Sequence, residues 1–390
     1  MSDLFPTIPH SEYAPRWAAV QALMCQHKLD LLIAYADDRA VFGPAHARWL
    51  ANFPVHFEPV CIFFRPEGDP VLCSGPESDE YARLAGRISD VRVLREFTHP
   101  DEDYPYSRIS GVAEIAAEMG SDAMPRIGLA GRGLMSQSFF AALTLALPDA
   151  VWVDVETAMC NLRAVKSPAE IAVIRRAYQI AEIGIEAAVA AIAPGVTERS
   201  IAAEAESAMR RAGAEGTGID TIVASGPNSR PILARSTLRP VQSGEIVLLT
   251  VAPRYEGYHA AIGRPVLVGD VSDEIRHALD AAVEAQQKAE AALRPGIEGR
   301  VVEAIGREVI DHAGLSQHFL YSGVHSVGVI EFEPPIFGPS SPAAFAPGMV
   351  ISIDIPLFNA RWGGLRIEDG YLITESGAEQ LNGTAFRLNR

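Results

Sequence analysis

The sequence is poor in cysteine and in positive charge, and it contains no long apolar run. Its four cysteines, Cys25, Cys61, Cys73 and Cys160, show no Cys-x-x-Cys spacing. That excludes a disulfide framework and a zinc knuckle, and it reads as reduced thiols in a cytoplasmic protein. Lys and Arg number 33 against 49 Asp and Glu, a formal net charge of −16. Neither nucleic acid nor an anionic membrane is an expected partner, because both require a basic face. No apolar run approaches the roughly 18 residues of a membrane span. The start, MSDLFPTIPHSEY, has no basic segment followed by an apolar one, so no signal peptide is expected.

What is present is a folded composition: 390 residues, 48% hydrophobic and 21% charged, enough for two domains with cores of their own. Up to about residue 155, helical and strand patterns alternate as in an α/β domain. Helices are expected over Glu12 to His27, Glu77 to Ala85, Ser107 to Glu118 and Ser136 to Leu147, with strands at LDLLIAYAD, VCIFF, PVLCSGP, near Val91, and over Arg126 to Ala130. Between the first two strands lies the aromatic stretch RWLANFPVHF (Arg48 to Phe57), read as a loop, and His99 to Pro105 is acidic and proline-bearing, a surface loop.

Ser167, Pro168 and Glu170 then form a capping box with proline at the first helical position, so a long helix starts there. The expected domains are residues 1–160 and 161–390. Within the second, AIAPGVTERS from Ala191 and ALRPGIEGR from Ala292 share Pro-Gly-[Val/Ile]-x-x-Arg, and each copy closes on Ala-Gly, at 212–213 and 313–314, an offset of 101 residues. Each copy follows an Ala-rich helix and precedes strands. Two copies are too few for a solenoid, so one domain of two similar helix–helix–sheet halves, related by approximate two-fold symmetry, is expected.

The last seventy residues read as three β segments, each carrying polar residues in an apolar setting: His325, Asp354 and Glu368. A carboxylate within an apolar strand is costly unless paired. One such residue is often a satisfied core group; three in succession point to one site.

The duplicated halves, together with SGPNS at Ser225, GEIVLLTVAPRYEGYHAAIGRPVLVG at Gly244, HSVGVIEFEPP at His325, PGMVISIDIP at Pro347 and LRIEDGYLITESG at Leu365, resemble the creatinase, prolidase and methionine aminopeptidase family. The resemblance implies an α+β pita-bread domain after an α/β N-terminal domain. Its peptidases hold two metals with Asp, Asp, His, Glu and Glu, positions that fall here on Thr250, Ala261, His325, Asp354 and Glu368. A two-metal site, its ions about 3.5–4 Å apart, needs carboxylates to bridge them, and Ala261 ligates nothing. The shorter Asp354 withdraws a ligand by about 1.5 Å where distances hold to about ±0.2 Å. The family's second histidine is replaced by Phe332, and the one after SGPNS by Ile232 and Leu233.

The leading expectation is therefore a metal-independent, creatinase-like hydrolase of a C–N bond in a small amide, cyclic amide, amidine or dipeptide-like compound, with no cofactor. His325 shuttles protons, with Asp354 and Glu368 raising its pKa. Arg366, Tyr258, His259 and Arg235 are candidate substrate-binding residues. Arg48 and His56 are candidates for covering the partner's site in a homodimer. The alternatives are a divergent Xaa-Pro dipeptidase or aminopeptidase with a single divalent metal on His325, Asp354 and Glu368, and a catalytically inactive module that binds a peptide or a protein partner. On either enzymatic reading, His325→Ala is expected to abolish turnover while circular dichroism stays unchanged; unaltered turnover would end a catalytic role for the imidazole.

Overall fold

In the computed structural model, residues 5–120 and 124–390 are described. The N-terminal half behaves as its apolar periodicity predicts. Helix α1 (Tyr13–His27) leads into β1 (Leu31–Ala36), buried at every position, as a central strand covered on both faces must be. Then come α2 (Ala45–Ala51), β2 (Val60–Phe64), β3 (Val71–Ser74), α3 (Asp79–Ala85), β4 (Asp90–Leu94), β5 (Ile109–Ser110), α4 (Val112–Glu118), β6 (Arg126–Ala130), α5 (Gln137–Ala146), β7 (Val151–Asp154) and α6 (Glu156–Leu162). The sheet order is β5-β4-β3-β2-β1-β6-β7, and only the β1–β2 and β2–β3 pairs are antiparallel. Cys61 and Cys73 are register partners across β2 and β3, both buried free thiols whose pKa burial raises.

Two details differ from expectation. The stretch RWLANFPVHF is no simple loop: its first four residues complete α2, which is buried throughout and ends on Asn52 at φ 52°, a left-handed conformation that asparagine tolerates. The helix expected from Ser107 starts only at Val112, because Ile109 and Ser110 first add an edge strand to β4.

Pro9–Leu162 forms one compact unit; Arg163–Arg390, joined by the short N-terminal segment that ends at Ile8, forms the other. The second unit opens with the capping box. Ser167 Oγ accepts from the Glu170 amide at 3.2 Å and Glu170 Oε2 from the Ser167 amide at 2.7 Å, with Pro168 beginning α7 (Pro168–Ala191). There follow α8 (Glu198–Arg211), β8 (Gly216–Thr217), β9 (Ile222–Ser225), β10 (Glu245–Val251), β11 (Pro253–Tyr255), β12 (Tyr258–His259) and β13 (Ile262–Val268). The second half supplies α9 (Asp273–Ala291), α10 (Gly299–His312), β14 (Val324–Ser326), β15 (Glu333–Ile336), β16 (Val350–Ala360), β17 (Gly363–Ile373), β18 (Ala378–Gln380) and β19 (Leu388–Asn389).

The sequence repeat is a structural repeat. Gly195 and Gly296 take φ values of 91° and 82° in the two Pro-Gly turns, a region open to glycine without penalty. The residue before each second helix makes the same kind of isolated bridge, Thr197 to Pro240 and Glu298 to Ala344. The halves meet in one sheet ordered β15-β14-β16-β17-β13-β10-β9. Along β16, Ile351, Ile353 and Ile355 pack with Ile275, Leu279, Val302 and Ile310 of α9 and α10. Each such side chain contributes about 1.5–3 kcal/mol of burial. Their alternates, Ser352 and Asp354, are thereby turned to the other face.

A separate buried ion cluster holds β15. Glu333 Oε1 accepts from Arg163 Nε at 2.7 Å, and its Oε2 lies 3.4 Å from Lys166 Nζ, with all three side chains at most 2% exposed. Removing the carboxylate leaves two cations buried without it, so Glu333→Ala is expected to destabilise the protein by about 3–5 kcal/mol in denaturant titration. A loss below about 1 kcal/mol would mean that the cations find other partners.

Candidate functional site

Strand register assembles the site. Thr250 faces Gly263 across β10 and β13, Gly263 faces Glu368 across β13 and β17, and Glu368 faces Asp354 across β17 and β16. Ser352 faces His325 across β16 and β14. Directly paired residues share a face and every second residue returns to it. Thr250, Glu368, Arg366, Asp354, Ser352 and His325 therefore project from one side of the sheet, opposite the α9–α10 core. All six are buried.

His325 Nδ1 donates to the Ser326 carbonyl at 3.0 Å, which leaves Nε2 toward Glu368 Oε1 at 3.6 Å. Phe332 lies against the imidazole with ring centroids 4.4 Å apart. Ser352 Oγ donates to Glu368 Oε1 at 2.9 Å and holds that carboxylate in place. The third acid close to this pair is Glu331, which the strand pattern did not single out. Ligand atoms of His325, Glu331 and Glu368 all lie within 4.8 Å of one another. Its sequence mark is visible in retrospect: an acid in the apolar run VGVIEFEPP, immediately before Phe332.

Asp354 belongs to a different set of contacts. Arg366 Nε lies 3.1 Å from its Oδ2, the Tyr321 hydroxyl donates to the same oxygen, and Arg366 Nη2 donates to Tyr321 at 2.5 Å. The guanidinium carbon sits 5.8 Å and 5.7 Å from the ring centroids of Tyr321 and Phe358, a cation–π arrangement on both. Asp354 is thus engaged by Arg366 and Tyr321, while Glu331 stands with His325 and Glu368.

Burial dominates the electrostatics. It pushes Asp354 up to about 7 against the opposing pull of Arg366, and it pushes Glu331 up to about 7 with help from the Glu368 charge. For His325, burial opposes protonation, yet Glu368 and Glu331 outweigh it and raise the pKa. Burial raises Glu368 as well, but His325 and Arg366 outweigh it and hold the carboxyl below its usual value. Four buried oxygens here, Thr250 Oγ1, Ser326 Oγ, Asp354 Oδ1 and Glu368 Oε2, have no hydrogen-bond partner.

The remaining candidates divide. His259 is buried, with Nδ1 3.2 Å from the Gly328 carbonyl; a Cβ at Gly218 would stand 2.3 Å from its ring and 3.3 Å from Glu331 Cβ. His259 therefore borders the cluster. Tyr258 is turned away, its hydroxyl donating to Glu170 Oε1 at 2.6 Å, because its strand position points it at the start of α7. Arg235 is exposed and lies 3.3 Å from Asp220, outside the cluster. Arg48 is buried in α2, and the His56 side chain is 91% exposed beside Asp38 at 3.3 Å, both in the other unit.

These donors decide which metal complement fits. Two cations do not: Thr250 offers one neutral hydroxyl, Ala261 a methyl group, and Asp354 is taken by Arg366. One does, since an imidazole and two carboxylates with unfilled acceptor sites are a donor set for a divalent ion.

A buried His–carboxylate cluster thus lies on the inner face of the duplicated α+β sheet. The profile described as Metallopeptidase family M24 matches residues 172–375, and the one described as Creatinase/Prolidase N-terminal domain matches residues 16–165. The chain belongs to metallopeptidase family M24, with the N-terminal domain of the creatinases and prolidases, and so to the hydrolases of C–N bonds. An Xaa-Pro dipeptidase of Pyrococcus furiosus is 33% identical over 234 residues, covering 60% of this chain and 67% of that protein. The structure of dipeptidase PepE from Mycobacterium ulcerans superposes with a TM-score of 0.82 at 25% identity, over 98% of this chain and 99% of that one. A recombinant prolidase from Thermococcus sibiricus, at 21% identity, shares the fold with a TM-score of 0.84 over 97% and 98%. Among the described residues, no helix is long and apolar enough to cross a membrane.

Gly263 is a tight point of this face: a Cβ there would come within 2.7 Å of Arg366 Cγ and 3.0 Å of Glu368 Cβ. Gly263→Ala is expected to cost about 1–3 kcal/mol and to lower turnover by more than about tenfold. A variant with wild-type Tm and turnover would show that the face has room to spare.

Proposed function

We propose that the chain hydrolyses the C–N bond of a dipeptide-like small molecule at the His325–Glu331–Glu368 cluster, with one divalent cation. The observation that carries this reading is the convergence of those three donors, whose ligand atoms lie within 4.8 Å of one another. It also agrees with the Xaa-Pro dipeptidase name of the Pyrococcus relative, and so favours the single-metal alternative over the metal-independent reading. His325, through Nε2, and the carboxylates of Glu331 and Glu368 would hold the ion. When bound, such an ion polarises a carbonyl and lowers the pKa of a coordinated water.

The chain's own groups do the rest. The Ser326 carbonyl and the Phe332 ring orient His325, and Ser352 orients Glu368, so the donors are positioned before substrate arrives. Burial of the whole cluster keeps bulk water out and strengthens its electrostatics. His259, beside Glu331, and Arg366 are the charged or polar groups closest to where substrate would lie. The proposal includes a homodimer, with the α2 region bearing Arg48 and His56 covering the partner's site.

One observation favours the metal-free reading: Glu331 and Asp354, held at about 7, can keep protons where no cation neutralises them. Chelation separates the two. Turnover of an Xaa-Pro dipeptide panel is expected to vanish on exhaustive treatment with a chelator and to return with Mn, Co or Zn. Chelator-resistant turnover would restore the metal-free mechanism, and an inert protein with every metal would leave a binding role.

A further inference from the structure

Three carboxylates, Asp354, Glu331 and Glu368, are buried with the guanidinium of Arg366 and the imidazole of His325, while the imidazole of His259 borders the group. With the acids ionised and both imidazoles neutral, three negative charges face one positive one, a deficit of two. A single divalent cation closes that deficit; a second would leave an excess of two positive charges. Uncompensated charge in a buried site is strongly disfavoured, whichever its sign. We infer that this site takes one divalent cation only, and that the Arg366 guanidinium occupies the role of a second positive centre. The inference rests on the one-cation reading above and adds to it the reason why the count stops at one.

The geometry divides the acids accordingly. Arg366 is fixed by Asp354 at 3.1 Å and by the Tyr321 hydroxyl at 2.5 Å, between the rings of Tyr321 and Phe358. Gly263, without a side chain, makes room for its stem. Its Nη1 still lies 4.0 Å from Glu368 Oε2, so its charge reaches into the ligand group without displacing an ion from it. On the other side, an Nδ1 proton donated to Ser326 leaves the Nε2 lone pair facing Glu368 Oε1 at 3.6 Å. Two electron-rich atoms so placed require a cation or a proton between them. The Glu331 carboxylate completes that ligand group. Asp354 keeps Oδ1 without a partner, which makes it the group that a second ion would recruit if the guanidinium were gone.

Metal stoichiometry of the full-length protein tests this without any activity assay. Protein stripped by chelator is titrated with Mn²⁺ or Zn²⁺ by calorimetry, and bound metal is counted after dialysis. The wild type is expected to bind one ion per chain, Arg366→Lys one, and Arg366→Met a number rising toward two. Should Arg366→Met fail to fold, Asp354→Asn decides: it removes one of the three negative charges, so affinity for the ion should fall by about tenfold or more, whereas a change of less than about threefold overturns the charge balance. Two ions in the wild type, or one ion in a folded Arg366→Met variant, overturns the role of Arg366 and leaves the hydrolase reading standing. No ion in the wild type removes the one-cation reading itself, and this inference with it.

Discussion

Charge compensation in a dry setting governs this site. The inner face of the large sheet buries His325, Glu331, Asp354, Arg366 and Glu368 within a few ångströms of one another. Groups like these stay charged away from water only if each finds an opposite charge or a strong donor. Asp354 finds Arg366 and Tyr321; Glu368 finds Ser352 and the edge of the guanidinium. Glu331 lies beside His325 and Glu368 without a fixed opposite charge, which is why burial and its neighbour raise its pKa. The unmet part of this balance is where an ion or a proton belongs.

The scaffold makes such a cluster affordable in conformational terms by keeping its strands rigid. Two helix pairs, α7–α8 and α9–α10, repeat the same Pro-Gly turn and the same bridge at the second helix. The α9–α10 pair anchors the helix-side residues of β16 and β17 in an aliphatic core. Because strand side chains alternate, a core on one face obliges the other to carry Ser352, Asp354, Arg366 and Glu368. The Glu333 cluster ties the start of the unit, through Arg163 and Lys166, to the strand that follows His325.

Family membership describes the fold, and the charges of the site come from its own residues. The fold is that of the M24 metallopeptidases, yet Thr250 and Ala261 present no carboxylate to the face. A fold positions side chains; it does not supply their charges. Glu331, immediately before Phe332, brings one acid to the group, and Asp354 pairs with Arg366.

Much was legible in the sequence by itself, because it depended on local physics. The capping box at Ser167, the Pro-Gly repeat, the apolar alternation of β16 and the isolated polar residues His325, Asp354 and Glu368 are all patterns within a few residues of themselves. Only the tertiary structure decided the rest. Whether Glu368 meets Gly263, whether Tyr258 turns to Glu170 rather than to the site, and whether Glu331 or Asp354 stands beside His325 are settled by pairing and packing between residues far apart in the chain. A one-residue change of register would have sent every one of those side chains to the opposite face. No local pattern encodes that choice, since it is made by the cores that hold the strands in place.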